Sequence, residues 1–187
     1  MKSNKRLKQI IVLIVFVLLS LFGSSQFLNN GCLEPQSGYT QDFVDELKSN
    51  TLTVSRVIDG DTIEVVENGE IIKFRLIGID TPETVHPEKP VECFGEEAKA
   101  ELKRLLDGEE IYFNYDNAIG QSDRYGRTLV YVWRANDDLF INQYMLSEGY
   151  ANFYENTVPV YFDADFRELE NQAREEGRGL WGEVCEI

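Results

Sequence analysis

Residues 57–83 restrict the fold more than any other part of the sequence. They read as a strand that breaks at Asp59-Gly60-Asp61, two alternating strands joined at Asn68-Gly69, and a final Asp80-Thr81-Pro82-Glu83. Asn-Gly between alternating apolar residues is a strong signal for a tight hairpin. The stretch therefore predicts three antiparallel strands that carry carboxylates at two of their ends.

Alternation and helical spacing predict the remaining elements. The predicted strands are 52–58, 62–66, 71–76, 111–115 and 128–133, and the predicted helices are 95–106, 141–148 and 164–176. Glycine follows each helical segment within two residues, as is common where helices end. Strands with helices inserted between and after them favour an α+β, mainly β fold, in which helices pack on a small antiparallel barrel.

The first 25 residues have the pattern of an export signal. Basic residues precede an apolar run at 10–22, which is shorter than the roughly 20 residues that a spanning helix needs. A cleaved signal peptide is therefore favoured over a retained membrane anchor. Residues 26–50 read as a linker and 51–187 as the folded domain. The sequence before Cys32 resembles a lipoprotein box weakly, so a lipid on Cys32 is an open alternative.

Export would place the cysteines in an oxidising compartment, where thiols pair. A bridge between Cys93 and Cys185 would fasten the C-terminal tail to the domain, and the alternative is two free thiols. The chain has three cysteines, a single histidine, His86, and no C-x-x-C motif. A metal site built from cysteines is therefore disfavoured.

The charge of the chain is strongly negative. Asp and Glu number 33 against 18 Lys and Arg, a net charge of −15. Without residues 1–25 the balance is 14 basic against 33 acidic residues, or −19. Such a sequence lacks the basic footprint of a general nucleic-acid coat protein. It suits a soluble protein, or one that brings a cation to its substrate.

Carboxylates at both ends of the hairpin region suggest a cation site. In a barrel, Asp61 and Asp80 can reach the same rim, and oxygen ligands without histidine favour Ca²⁺ or Mg²⁺. Arg75 and Arg127 could add positive charge for a phosphate, and Glu83 could take a proton from attacking water. The alternative is that the carboxylates only cap turns and the arginines form surface ion pairs.

Five segments together resemble the staphylococcal-nuclease-like (thermonuclease) family. They are "VIDGDT", "FRLIGIDTPE", "HPEKPVECFGEEA", "SDRYGRTLVYV" and "AREEGRGLW", in the order and spacing of that family across residues 51–181. The resemblance implies a five-stranded OB-fold barrel with three helices. It also implies a Ca²⁺-dependent endonuclease that cuts single- and double-stranded DNA and RNA and leaves 3′-phosphate and 5′-hydroxyl ends.

The resemblance also assigns roles to individual residues. It implies calcium ligands at Asp61, Asp80 and the carbonyl of Thr81, with Asp59 in the outer shell. It places Arg75 and Arg127 on the phosphate and Glu83 beside the attacking water. Candidate substrate contacts are Arg124, Tyr125, Tyr154 and Tyr161. For Tyr154 and Tyr161 the alternative is that the rings pack in the core.

Two departures from the family pattern bear on substrate binding. The family nuclease is basic whereas this chain is acidic, and Arg124 stands where the family has lysine. A non-catalytic OB-fold module that binds nucleic acid or protein is the alternative function, because a shared fold does not imply activity. A calcium-storage role is a third reading, which leaves the two arginines unexplained. We expect an exported or surface-tethered monomer that contacts the membrane only through its N-terminal segment or a lipid.

Overall fold

The computed structural model describes residues 47–48, 50–84 and 91–185. The predicted signal or anchor at 1–25, most of the predicted linker, Cys32 and His86 lie outside these residues. Within the described ranges, no helix is both long enough and apolar enough to cross a membrane.

The first three strands form the predicted meander. β1 (Leu52–Asp59) pairs antiparallel with β2 (Thr62–Glu67), which pairs antiparallel with β3 (Glu70–Leu76). The β2–β3 turn has positive φ at both central residues, 53° at Asn68 and 85° at Gly69. This is the backbone that a two-residue hairpin turn requires, and Asn-Gly adopts it at low cost.

Two later strands close the sheet into a barrel. β5 (Glu110–Asn114) pairs with β1 and with β6 (Thr128–Arg134), and β6 runs parallel to β3 with Phe74 opposite Thr128. The closed order is therefore β1-β2-β3-β6-β5. Two-residue strands β4 (Ile79–Asp80) and β8 (Asn152–Phe153) pair with each other, and β7 (Leu139–Phe140) pairs with β6. The predicted mainly β barrel is confirmed.

Three helices of the described part pack against the barrel. They are α1 (Gly95–Leu106), α2 (Ile141–Ser147) and α3 (Asp163–Glu175), and a short 3₁₀ turn, Gly179–Trp181, follows α3. Phe166 of α3 belongs to a cluster of aromatic rings around fully buried Tyr131, which contacts Phe140, Phe162 and Phe166 edge-on. This dense core gives the barrel rim a rigid base.

A disulfide ties the tail to the start of α1. Cys93 and Cys185 are bonded across 92 residues of sequence, with Cα atoms 5.9 Å apart. The bridge expected from the sequence is therefore present. It holds the loop that precedes α1, which also carries Glu92 at the rim of the barrel.

Candidate active site

The candidate residues converge on an open cleft at the barrel rim. The cleft has a volume of about 560 Å³ and lies where the β1–β2 turn, the end of β3 and the loop after β4 meet. Its lining consists of Ile58, Asp59, Asp61, Thr62, Lys73, Arg75, Asp80, Thr81, Glu83, Glu92, Tyr125 and Arg127. Every residue to which the resemblance assigns a metal or catalytic role therefore faces one space.

Arg75 is held at the centre of this cleft. Its Nη2 lies 3.0 Å from Asp61 Oδ2 and 2.8 Å from Asp80 Oδ1. Its Nη1 donates to the backbone carbonyls of Leu76 at 2.7 Å and Ile79 at 2.6 Å. With 11% of its side chain exposed, the guanidinium is fixed, and one nitrogen links the two carboxylates.

Close packing of two loops brings Asp61 and Asp80 together. A Cβ atom on Gly60 would lie 2.7 Å from Thr81 Oγ1 and 2.8 Å from its methyl carbon. Only glycine therefore lets the β1–β2 turn approach the loop after β4 this closely. Asp61 then accepts hydrogen bonds from the Thr81 amide at 3.3 Å and the Thr62 hydroxyl at 2.8 Å. In the Asp-Gly-Asp motif the aspartates thus supply charge, and the glycine is required for the close packing against Thr81.

Partial removal of water raises the pKa of the Asp80 carboxyl. Arg75 opposes this shift, while the nearby carboxylates Asp61, Glu92 and Glu83 add to it. A carboxylate that loses hydration and faces other carboxylates is stabilised by a cation. The electrostatics therefore favour a bound positive charge beside Asp80.

Asp59 lies two residues before Asp61 in the same turn and also lines the cleft. It accepts hydrogen bonds from the Thr84 hydroxyl at 2.8 Å and the Gly60 amide at 3.0 Å. Burial raises its pKa against these two hydrogen bonds, and the neighbouring Asp61 and Glu83 carboxylates raise it further. Asp59 Oδ1 therefore joins the β1–β2 turn to the loop after β4.

The backbone of Glu83 is anchored to Glu92. The Glu83 amide donates to Glu92 Oε2 at 3.1 Å, and the Glu92 amide donates to the Glu83 carbonyl at 2.9 Å. Since Glu92 precedes Cys93, the backbone of Glu83 is tied to a residue next to the disulfide.

Arg127 reaches the cleft from the start of β6. Its Nε donates to Asp123 Oδ2 at 2.7 Å, and its Nη1 donates to the Thr62 hydroxyl at 3.3 Å. Asp123 Oδ1 also accepts from the amides of Tyr125 and Arg127, each at 2.9 Å. Burial pushes the pKa of Asp123 upward, but the hydrogen bonds from Arg127 and Tyr125 outweigh it and lower the pKa. Asp123 is thus a charged clamp for Arg127.

The four candidate substrate contacts are placed differently. Tyr125 lines the cleft with 68% of its surface exposed. Arg124 lies over its ring, 4.8 Å from the centroid, and donates to its hydroxyl at 2.7 Å. Tyr154 is 50% exposed and lines a smaller cavity of about 250 Å³ beside Arg75, Asp80 and Arg127.

Tyr161 is 52% exposed and lines neither of the two cavities described here. Its amide donates to Asp116 Oδ2 at 2.7 Å, and its ring meets Phe162 edge-on. The structure therefore brings Tyr125 and Tyr154 to the site, whereas Tyr161 is outside the lining of both cavities. Neither Tyr154 nor Tyr161 is a core residue.

The oxygen atoms around Asp61 fit a hard cation. Within the described ranges, no group of three or more His, Cys, Asp or Glu side chains is arranged to hold a metal ion. Two carboxylates and a backbone carbonyl form a smaller set, which Ca²⁺ commonly completes with water. The Thr81 hydroxyl oxygen is buried and has no hydrogen-bond partner among the described residues. The donor set at Asp61, Asp80 and Thr81 thus fits Ca²⁺ in chemistry.

Several residues that build the site were not identified from the sequence. They are Thr62, Thr84, Glu92 and Asp123, each of which holds a candidate residue by a hydrogen bond. Asp123 alone had a readable signal, because an aspartate before a tight turn often accepts the amides that follow it. The contacts of Thr62 with Arg127 and of Thr84 with Asp59 join segments that are distant in sequence. The contact of Glu92 with Glu83 spans a loop with no recognisable sequence pattern.

Comparison with known proteins agrees with this geometry. Residues 73–183 match the family model described as staphylococcal nuclease homologue. A thermonuclease of Staphylococcus hyicus is 40% identical over 134 residues, which cover 70% of this chain and 75% of that protein. An uncharacterized endonuclease of Escherichia coli is 38% identical over 133 residues, covering 70% and 76%. The chain belongs to the staphylococcal nuclease family.

Another relative matches over a longer span. An uncharacterized protein of Methanocaldococcus jannaschii is 29% identical over 204 aligned positions, covering 97% of this chain and 98% of that protein. Similarity to this relative therefore extends beyond the barrel to nearly the full length of the chain.

Proposed function

We propose that this chain is a calcium-dependent endonuclease that hydrolyses phosphodiester bonds of DNA and RNA to 3′-phosphate products. The observation that carries the proposal is the joint placement of Asp61, Asp80, Arg75, Arg127 and Glu83 around one cleft. Membership of a nuclease family and similarity to proteins named as thermonuclease and endonuclease support it. A protein that only binds nucleic acid would not need Arg75 and Arg127 fixed by carboxylates, nor the Glu83 carboxylate beside them.

The arginines bind the scissile phosphate in this proposal. Arg75 and Arg127 are each held by carboxylates, so their remaining N–H groups are oriented before substrate arrives. Such fixed donors stabilise the extra negative charge on a five-coordinate phosphorus better than mobile ones. Ca²⁺ held by Asp61, Asp80 and the Thr81 carbonyl would supply further positive charge to the phosphoryl oxygens.

Glu83 completes the reaction as the general base. Its carboxylate accepts a proton from the water whose oxygen attacks phosphorus. The bond from phosphorus to the 5′ oxygen breaks, and that oxygen takes up a proton from solvent. The products are a 3′-phosphate and a 5′-hydroxyl, as the attack and the broken bond require.

We further propose that the protein works outside the cytoplasm as a monomer. The Cys93–Cys185 bridge supports this location, because structural disulfides persist in oxidising compartments. The pattern of residues 1–25 agrees with export. Retention of that segment, or a lipid on Cys32, would keep the nuclease at the cell surface.

The decisive experiment follows cleavage of a single-stranded oligonucleotide with Ca²⁺ and with chelator. We expect cleavage only with Ca²⁺, and products that carry a 3′-phosphate by mass. Asp80→Asn should abolish both cleavage and calorimetric Ca²⁺ binding, because it removes a charged ligand. Asp107→Asn, a carboxylate just beyond α1 that is not part of the cleft, is the matched control and should change neither.

Two results would refute the proposal. Calcium binding that persists unchanged in Asp80→Asn would remove the metal assignment. An unmodified protein that binds the oligonucleotide with Ca²⁺ and never cleaves it would make this chain a binding module.

A further inference from the structure

Within residues 47–48, 50–84 and 91–185, most lysine and arginine side chains are paired with carboxylates. Among the described residues, side-chain ion pairs engage Lys48, Arg56, Arg75, Lys103, Arg104, Arg127, Arg134, Arg167, Arg174 and Arg178. Within the same ranges the exceptions are Lys73, Lys99 and Arg124. Arg124 already stacks on Tyr125 and donates to its hydroxyl. Lys73 is the exception that lines the candidate active-site cleft with no hydrogen bond or ion pair to a described residue.

Lys73 lies on the same strand and the same face as Arg75. Residues two apart in a strand point to one side and are separated by roughly 6.6 Å along it. Lys73 is exposed, and the register places it opposite Glu64 on β2, while Arg75 is opposite Thr62. Lys73 therefore extends the positive charge of the cleft one step along the outer face of β3.

The carboxylate opposite Lys73 in the register of the sheet already has a partner. Glu64 accepts a hydrogen bond from Arg56 Nε at 3.1 Å, and Arg56 Nη2 lies 3.0 Å from the same oxygen. The Glu64 side chain is 9% exposed, so it is turned away from solvent and committed to Arg56. Because Glu64 is paired with Arg56, the ammonium of Lys73 is available to a ligand.

We propose that Lys73 forms a second phosphate subsite, which binds the phosphate next to the scissile one in a single nucleic-acid strand. The inference rests on the proposed function, because it takes Arg75 as the contact for the scissile phosphate. A strand that passes from Arg75 to Lys73 would run over the exposed outer face of β3. Lys73 then contributes to binding of longer substrates and not to the chemical step.

Substrate length tests this assignment. A dinucleotide has only the scissile phosphate, whereas a hexanucleotide also presents neighbouring phosphates. We expect Lys73→Ala to raise KM for the hexanucleotide by about three- to tenfold, with kcat and the dinucleotide kinetics unchanged. The slope of log(kcat/KM) against log salt should become shallower by roughly 0.7, the value for one lost contact to a single strand.

Two variants serve as controls. Lys99→Ala removes the same charge from α1, from another unpaired lysine that does not line the cleft, and should leave KM unchanged. Lys73→Arg keeps the charge and should restore most of the affinity. Equal KM values for Lys73→Ala and Lys99→Ala on the hexanucleotide would overturn the subsite.

Direct binding separates this inference from the proposed function. Fluorescence anisotropy with a labelled hexanucleotide in chelator measures affinity without requiring cleavage. If the unmodified protein proves inactive but Lys73→Ala weakens binding and Lys99→Ala does not, the nuclease proposal fails and Lys73 remains a phosphate contact of a binding protein. If cleavage occurs and neither KM nor binding depends on Lys73, the subsite fails and the nuclease stands.

Discussion

Asp123→Asn tests whether the position of Arg127 is set by its carboxylate clamp. The change keeps the shape of the side chain and the oxygen that accepts the amides of Tyr125 and Arg127. It replaces the negative charge that faces Arg127 Nε at 2.7 Å. One charge-assisted hydrogen bond is therefore lost, and the turn that carries Tyr125 is preserved.

The size of the effect follows from the burial of the pair. The side chains of Arg127 and Asp123 are 29% and 17% exposed, so water screens their contact only in part. Hydrogen bonds to charged groups contribute roughly 1.5–3 kcal/mol, and we place this one near the lower end because both groups keep some contact with solvent. Arg127 would retain its longer bond to Thr62 at 3.3 Å. Such loosened positioning should reduce kcat by about tenfold or more, with a smaller change in KM.

Stability against pH gives an independent readout. The folded-state pKa of Asp123 is lowered by the hydrogen bonds from Arg127 and Tyr125, which outweigh burial. A depressed pKa means that the stabilisation is fully present above the unfolded pKa, near 3.9, and is lost as pH falls through the folded pKa. The difference in unfolding free energy between the unmodified protein and Asp123→Asn should thus be largest above about pH 5 and shrink below pH 4.

Asp137→Asn provides the matched control. Asp137 accepts from Arg134 Nε at 2.9 Å and Nη2 at 2.7 Å, and this pair does not line the cleft. Urea unfolding and steady-state kinetics on one oligonucleotide compare the two variants. Two results would show that the pair of Asp123 and Arg127 is only a structural ion pair. One is an unchanged kcat in Asp123→Asn, and the other is a loss of kcat in Asp137→Asn as large as that in Asp123→Asn.

Two further predictions concern the fixed parts of the site. Arg75→Lys should lower kcat/KM by about 100-fold or more, because an ammonium cannot reproduce a planar grip on two carboxylates and a phosphate; a rate near that of the unmodified protein would reduce Arg75 to an ion pair. Reduction of Cys93–Cys185 should lower the melting temperature measured by circular dichroism, since the bridge closes a loop for which chain entropy allows roughly 4 kcal/mol. Activity at room temperature should persist, and an unchanged melting temperature would show that the tail is held by other contacts.

The barrel strands could be predicted from sequence because each has a local signal. Alternation marked β1, β2, β3, β5 and β6 to within one residue at each end, and Asn68-Gly69 marked the hairpin. The two-residue strands β4, β7 and β8 were not predicted, since alternation needs a longer run to be detected. The parallel pairing of β3 with β6, which closes the barrel, joins segments over 50 residues apart and leaves no local pattern.

The site divides in a similar way. Asp61, Arg75, Asp80, Glu83 and Arg127 carry charges that the proposed chemistry uses, so residue type and motif could point to them. The contacts that orient them depend on folded distances, such as the Thr62 hydroxyl between Asp61 and Arg127. Gly60 read only as a turn residue until its close approach to Thr81 was known. The roles of these five residues stay predictions, whereas the contacts that hold them could be seen only in the folded structure.

Most of the acidic residues of the chain lie outside the lining of the cleft, which holds five of the 33, Asp59, Asp61, Asp80, Glu83 and Glu92. Charges separated by more than a Debye length, about 8 Å at physiological ionic strength, are largely screened. The acidic residues that give the chain its net charge of −15 therefore repel an approaching strand more than they weaken its contacts once it is bound. The lining holds these five carboxylates against the three cations Lys73, Arg75 and Arg127, so in the proposed complex bound calcium would have to add to the attraction of the phosphates. Salt then weakens long-range repulsion and local attraction together, so a shallow dependence of kcat/KM on ionic strength follows for this protein, unlike the steep fall of a basic nuclease.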